Sequence, residues 1–262
     1  MFQFLFLISH FSPINMNFTI LRFDSIESTN TEALSQAKQG AEEGLCVVAG
    51  EQTAGRGRHG RIWISPKDAG LYFSIVLRPK IEFKFLPLLT LMSAVVVTEV
   101  LHELYKLKAD IKWANDVHLK GKKICGILAE MAETKTGLAV VVGIGINLTS
   151  ANFPHELEET ATSIETETGA KPNAEDILQS LTKQFAKFYR IFSGADGAEK
   201  IREEWAKKSS YFFGKLVRVK LEHETIFGKT CGIEETGALR VKTDAGEIKI
   251  VQAGDVEMLR KA

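Results

Sequence analysis

The stretch Glu51-Gln52-Thr53-Ala54-Gly55-Arg56-Gly57-Arg58-His59-Gly60-Arg61-Ile62-Trp63 constrains this chain more than any other. Three glycines are interleaved with three arginines and a histidine from Gly55 to Arg61. A strand-like run, Leu45 to Ala49, leads into it, and an apolar run, Leu71 to Leu77, follows. Glycine takes positive φ and allows close approach of backbone to a ligand. Arginine presents planar, forked donors that match phosphate or carboxylate oxygens. A basic heptamer by itself reads as a solvated face or a nucleic-acid patch. The regular Gly-Arg spacing between two apolar strands points instead to an anion cradle.

The remainder of the chain supports a local site rather than a basic surface. Lys plus Arg and Asp plus Glu number 33 each, so the formal net charge is zero. A nucleic-acid binder is expected to carry an overall basic surface, so that class is disfavoured. With 262 residues, 45% hydrophobic and 25% charged, the composition is that of a globular protein with a sizeable core. Cys46, Cys125 and Cys231 are odd in number and far apart, with no metal spacing, and read as reduced thiols in a cytoplasmic protein. Phe2 to Ile8 is apolar but too short to span a bilayer, and it lacks a basic flank and a cleavage site. Residues 1–16 are therefore expected to be a dispensable leader.

In chain order, Asn17 to Phe23 reads as a first strand. Ser28 or Thr29 is a natural helix N-cap, with Glu32 three residues after Thr29 as in a capping box, and Gly40 stops the helix. Phe85 to Lys106 is a long helix. Ile111 to Glu130 reads as two strands about a turn at Lys120-Gly121-Lys122, with Asn115-Asp116 lying mid-strand against propensity. Leu138 to Leu148 is an apolar strand punctuated by Gly143 and Gly145, which mark close approach of backbone or ligand. Residues 149–168 are polar and uneven, as a mobile loop is. Ala174 to Phe192 is an amphipathic helix with Ile177, Leu178, Leu181, Phe185 and Phe188 on one face, and a second helix covers about 198–207. After 210, short strands with glycine turns suggest a small β-barrel. The expected domains are 17–210, which is catalytic, and 211–262.

The joint pattern is more specific than its parts. Ser28-Thr29-Asn30, Gln52 to Arg61, Lys112-Trp113-Ala114-Asn115-Asp116, Lys123 to Leu128 and Gly143-Ile144-Gly145-Ile146-Asn147 follow in the order and spacing of a biotin–protein ligase, which this chain resembles from about residue 17 to 262. Ala114 stands where proline is common in that family. About 25 residues precede Ser28, so the resemblance is to the monofunctional kind, without a helix-turn-helix domain.

The resemblance implies an α+β fold: a mixed sheet flanked by helices, of the class II synthetase-like or biotin–lipoate ligase type, with the small barrel appended. It implies activation of biotin with MgATP to biotinyl-5′-adenylate, followed by acylation of one lysine of a biotin carboxyl carrier protein. By the same resemblance, Arg58 and Lys123 would neutralise developing charge, with Asp116 orienting Mg²⁺ or the incoming amine. Ser28, Thr29, Asn30 and Gln52, with Gly55 and Arg56, would line the biotin side together with Arg58 and Lys123. Gly126 and Gly143 would admit the ligand close to backbone. Arg58, Arg61, Trp63, Asn115, Ile127 and Asn147, with Arg56 beside them, would serve the nucleotide. The state would be monomer or homodimer, with no nucleic acid or membrane partner. A lipoate or octanoate ligase or transferase of the same superfamily and a non-catalytic biotin sensor are the alternative readings.

Overall fold

Residues 5–7, 16–150 and 153–258 are described in the computed structural model and form two sheets and five α-helices. The elements in order are β1 (Leu5–Leu7), β2 (Thr19–Phe23), α1 (Thr29–Lys38), β3 (Leu45–Ala49), β4 (Gly70–Leu77), α2 (Leu88–Tyr105), β5 (Asp110–Lys112), β6 (Asp116–Leu119), β7 (Lys122–Thr134) and β8 (Gly137–Asn147). They continue with α3 (Ile164–Thr168), α4 (Ala174–Phe192), α5 (Gly197–Lys208), β9 (Phe213–Lys220), β10 (Thr225–Ile233), β11 (Leu239–Lys242), β12 (Ile248–Val251) and β13 (Asp255–Met258). Within the stretch expected to be a leader, β1 pairs antiparallel with β2, and the rest of residues 1–15 lies outside the described residues.

The first eight strands make one mixed sheet, ordered β1-β2-β3-β4-β8-β7-β6-β5. Only β2 and β3 run parallel within it, because α1 crosses between them. Strand side chains alternate between faces, and here the two faces have different roles. Leu71, Phe73, Ile75 and Leu77 of β4 and Val140, Val142, Ile144 and Ile146 of β8 join the large core under α2, α4 and α5. The intervening Val76, Ala139 and Val141 pack with Ala33 and Ala37 of α1 on the opposite face. That second cluster is small, and beyond it the α1 face carries glycine and polar residues.

α2 is apolar over most of its surface, and the segment Phe83–Tyr105 that contains it is long enough to cross a membrane by length and composition, yet it is largely buried as the central core helix. α4 forms where its apolar periodicity places it, with Ile177, Leu178, Leu181, Phe185 and Phe188 all buried. α1 begins at Ser28, whose side chain accepts from the Thr31 amide. Glu32 closes no capping box: it accepts from Gln36 one turn on. Within the stretch 149–168, expected to be a loop, residues 153–168 are well organised. They hold a 3₁₀ turn at His155–Leu157 and the α3 helix, capped by Ser163.

The small C-terminal β domain forms as an open five-stranded antiparallel sheet, β12-β11-β10-β9-β13, rather than as a closed barrel. It leans on α2 and on the turn after β5 instead. Gly237, at φ 88°, lies against Leu88 and Leu91 of α2, and the Trp113 indole donates to the Gly237 carbonyl at 2.9 Å. Trp113→Phe keeps the buried ring but removes this donor and leaves a buried carbonyl unpaired. It is expected to lower stability by about 1–3 kcal/mol in urea denaturation.

Candidate active site

The site is built on the face of the sheet that α1 only partly covers. Directly opposed residues on neighbouring antiparallel strands share a face. Tyr72, Gly145, Gly126 and Asp116 thus form one row across β4, β8, β7 and β6, and Ser74, Gly143 and Leu128 form the next. Three of these seven positions are glycine, so the sheet has a trough where side chains would stand. A Cβ on Gly126 would lie 2.8 Å from the Trp63 ring, and one on Gly145 would lie 2.6 Å from it. A Cβ on Gly143 would collide with the Asn30 amide.

One end of the trough is the N-terminus of α1. Gln52 Oε1 accepts from the Thr29 amide at 2.8 Å and the Thr29 hydroxyl at 3.1 Å, while its Nε2 donates to Ser65. Ser74 donates to Asn30 Oδ1 at 2.6 Å and lies 2.8 Å from Thr29 Oγ1. The Asn30 amide donates to the Leu128 carbonyl and to Glu130. Ser28, Thr29 and Asn30 are buried. Buried polar groups need partners, and this network supplies them while facing the trough.

The Gly-Arg stretch folds as a narrow ribbon over the trough. Arg56 bridges to Ile62, the Gly57 amide donates to Arg61, and the Trp63 amide donates to Gly55. His59 and Gly60 turn the tip with φ 55° and 72°. A Cβ on Gly55 would meet the Trp63 backbone, so this glycine serves the fold of the ribbon. Trp63 lies in the trough, with the Lys123 ammonium 5.3 Å from its ring. The indole Nε1 is buried without an acceptor among the described residues.

At the other end, Asn115-Asp116 is not mid-strand. Trp113 to Asn115 make a turn between β5 and β6, and Asp116 opens β6. The reason is a substitute for the ladder: the Ile127 amide donates to the Asn115 carbonyl, and the Asn115 side chain donates back to Ile127. Arg58 donates to the Asn115 side-chain oxygen at 3.1 Å. Lys123 Nζ lies 2.7 Å from Asp116 Oδ1. Burial alone raises the Asp116 carboxyl pKa, but His118 and Lys123 outweigh it and hold the group well below the usual carboxylate range. Residues 160–162 run beside Lys123, whose amide donates to Thr160 and whose carbonyl accepts from Thr162.

A cavity of about 250 Å³ occupies this trough. Its lining includes five cations (Arg56, Arg58, Arg61, Lys112 and Lys123) against two carboxylates, Asp116 and Glu257, in a chain of zero net charge. A second cavity of about 460 Å³ shares Ile62, Trp63, Lys112, Asp116 and Lys123 with the first and is walled by Phe153 and Leu157. Two adjoining spaces with cations on their common wall suit two anionic molecules meeting there. Among the described residues, no cluster of three or more His, Cys, Asp or Glu is placed to hold a metal ion.

Comparison with known proteins agrees with this geometry. Residues 22–147 match the biotin/lipoate A/B protein ligase family, and residues 212–259 match the biotin protein ligase C terminal domain. The chain is 37% identical to the bifunctional ligase/repressor BirA of Bacillus subtilis over 91% of its own length and 74% of that protein's. It is 34% identical to the biotin–[acetyl-CoA-carboxylase] ligase of Paracoccus denitrificans, over 88% and 96%. The chain belongs to the biotin–protein ligase family. A solved structure of the Aquifex aeolicus biotin protein ligase, in complex with biotin and ATP, superposes with a TM-score of 0.79 at 31% identity, covering 92% of this chain and 99% of that one. This is an enzyme family, and this chain shares its two-part layout.

For this ligase-family chain, the fold brings together nearly every residue singled out from sequence. Ser28, Thr29, Asn30, Gln52, Arg56, Arg58, Arg61, Trp63, Asn115, Asp116, Lys123, Gly126, Ile127 and Gly143 all line the first cavity. Asn147 lines the second cavity and donates to the Thr162 carbonyl. Gly55 lies beneath Trp63, outside both. Ile127 sends its side chain into the core, so only its backbone borders the site. Sequence reasoning missed Tyr72, Lys112 and Gly145 of the lining, the residues Ser74 and Glu130 that hold Asn30 from behind, and Gly254, Val256 and Glu257 from the C-terminal segment. Gly145 and Lys112 sat inside motifs already marked. The last three carry no local signal, because they arrive from a separate domain. Gly143→Ala forces Asn30 out of its bonds to Ser74 and Glu130. Denaturant titration is expected to show a loss of about 1–3 kcal/mol.

Proposed function

We propose that this chain activates biotin with MgATP to biotinyl-5′-adenylate and pyrophosphate, then transfers biotin to one lysine of a biotin carboxyl carrier protein. The observation that carries this reading is the shared wall of the two cavities, where Lys112, Lys123 and Asp116 stand between a polar-ended trough and an apolar-walled space. The Ser28–Asn30 end, completed by Gln52, supplies donors and acceptors for a ureido ring. The glycine trough admits the fused ring and valeryl chain against backbone. That points the biotin carboxylate toward Lys123.

The first step forms a bond from the carboxylate oxygen to the α-phosphorus and breaks the bond to pyrophosphate. Two anions must approach, so fixed cations lower the barrier. Lys123 is held by Asp116, and Arg58 by Asn115, so both cations are oriented before substrate arrives. Trp63, whose indole donor has no acceptor among the described residues, and Asn147 border the space read as the nucleotide's. Mg²⁺ comes in on the ATP phosphates, the usual mode for this ion. In the second step the carrier amine attacks the acyl carbon and AMP leaves. A general base works best with a pKa near the working pH. Asp116, held far below that, is suited to orienting Lys123 and the incoming amine rather than to taking a proton. The mixed anhydride must be shielded from water, and the ribbon and residues 153–161, which border the two cavities, are placed to do so.

Arg58→Ala and Lys123→Ala should each weaken adenylate formation or retention by roughly 2–4 kcal/mol, read by biotin-dependent ATP–pyrophosphate exchange. Wild-type exchange in either variant removes that residue from the mechanism. Lipoate replacing biotin as the better exchange substrate would favour the sister activity. Incubation with biotin, ATP, Mg²⁺ and a carrier domain should add one biotinyl mass to the carrier, and an unmodified carrier would refute the transfer step. Biotin plus ATP should also slow trypsin cleavage after Arg56, Arg58 and Arg61. Equal cleavage rates would refute closure of the ribbon.

A further inference from the structure

Glu130 lies outside the motifs that carry the family resemblance, yet it joins the two halves of the site. It lies on β7, on the trough face, two positions beyond Leu128. One carboxylate oxygen, Oε2, accepts from the Asn30 amide at 2.8 Å and from the Arg56 guanidinium at 2.7 Å. Asn30 is buried at the polar end of the trough, and Arg56 is exposed at the base of the ribbon. The Asn30 amide has little slack, because its oxygen accepts from Ser74 and its nitrogen also donates to the Leu128 carbonyl. An isolated surface ion pair contributes little. Here the same oxygen is fixed from the buried side, which orients it for Arg56. A ligand group that draws on Asn30 must change the second bond as well.

We propose that Glu130 is a positioning residue that couples the biotin-side polar network at Asn30 to the Arg56–Ile62 ribbon, and so sets how long the acyl-adenylate is retained. This rests on the adenylate-forming reading above. The ties of the ribbon to the sheet side include Arg56 to Glu130 and Arg58 to Asn115. Removing the first tie leaves Arg58 able to reach the reacting groups while the ribbon opens more often.

Glu130→Gln keeps the side-chain shape and one acceptor oxygen but removes the carboxylate charge, so the bond from the guanidinium is no longer charge-assisted. Its biotin-dependent pyrophosphate exchange at saturation should stay within about threefold of wild type, while release of preformed adenylate should rise about tenfold, the loss of one charge-assisted hydrogen bond. Arg56→Gln should release adenylate equally fast, and the double variant no faster than the quicker single. Additive effects in the double variant, or wild-type release by Glu130→Gln, overturn the proposal. Trypsin cleavage after Arg56, Arg58 and Arg61 without any ligand reads the tie independently of activity. It should be faster in Glu130→Gln at unchanged melting temperature, and an unchanged rate also overturns the proposal. If Glu130→Gln does not fold, the exposed Arg56→Gln reports on the same tie. Absence of exchange in wild-type protein instead removes the adenylate reading and leaves the cleavage result standing for the tie alone.

Discussion

The missing side chains at Gly126, Gly143 and Gly145 are the constraint on which this structure depends. A pleated sheet presents a side chain at every second position on each face, and a Val or Ile row here would have sealed the α1 face as it seals the α2 face. Glycine at three positions of two adjacent rows leaves a trough floored by backbone. The Asn30 amide occupies part of it and Trp63 another part. The ribbon, the α1 terminus and the Asp116–Lys123 pair are arranged around that hollow.

The opposite face makes the trough possible. Glycine-rich strands pack weakly, and their loss of apolar contact is offset by the continuous core of β4, β8, α2, α4 and α5. The same strand therefore serves stability with its even positions Val140, Val142, Ile144 and Ile146 and the site with its odd positions Gly143, Gly145 and Asn147. A shift of register by one residue would exchange these roles, which is why the long ladder between β7 and β8 matters to chemistry as much as to folding.

Much of the site was legible because its residues contradict the propensities of their surroundings. Glycines inside an apolar strand, arginines spaced by glycines and an Asn-Asp pair beside strand residues are all poor choices for packing. The helices α2 and α4 were legible for the opposite reason, since their apolar patterns match burial. The misplaced details share a cause. Asn115 reads as a strand residue until its pairing with Ile127 is known, and residues 149–168 read as loose until their bonds to Lys123 are seen. The barrel reading of the C-terminal strands failed to close because the sheet finds its partner in α2 and Trp113 rather than in its own edges.

By itself the sequence determined the family, the order of the elements, and the residue types that can bind a carboxylate and phosphates, because those depend on local composition and spacing. Only the tertiary structure decided which of them meet. It set Lys123 against Asp116, seated Trp63 on two glycines, brought Glu257 from the second domain and gave Glu130 its place between Asn30 and Arg56. Apart from Lys123 and Asp116, which face each other across one hairpin, these contacts join residues many tens of positions apart or more. Strand register and helix crossing, which no local pattern encodes, bring them within hydrogen-bonding distance.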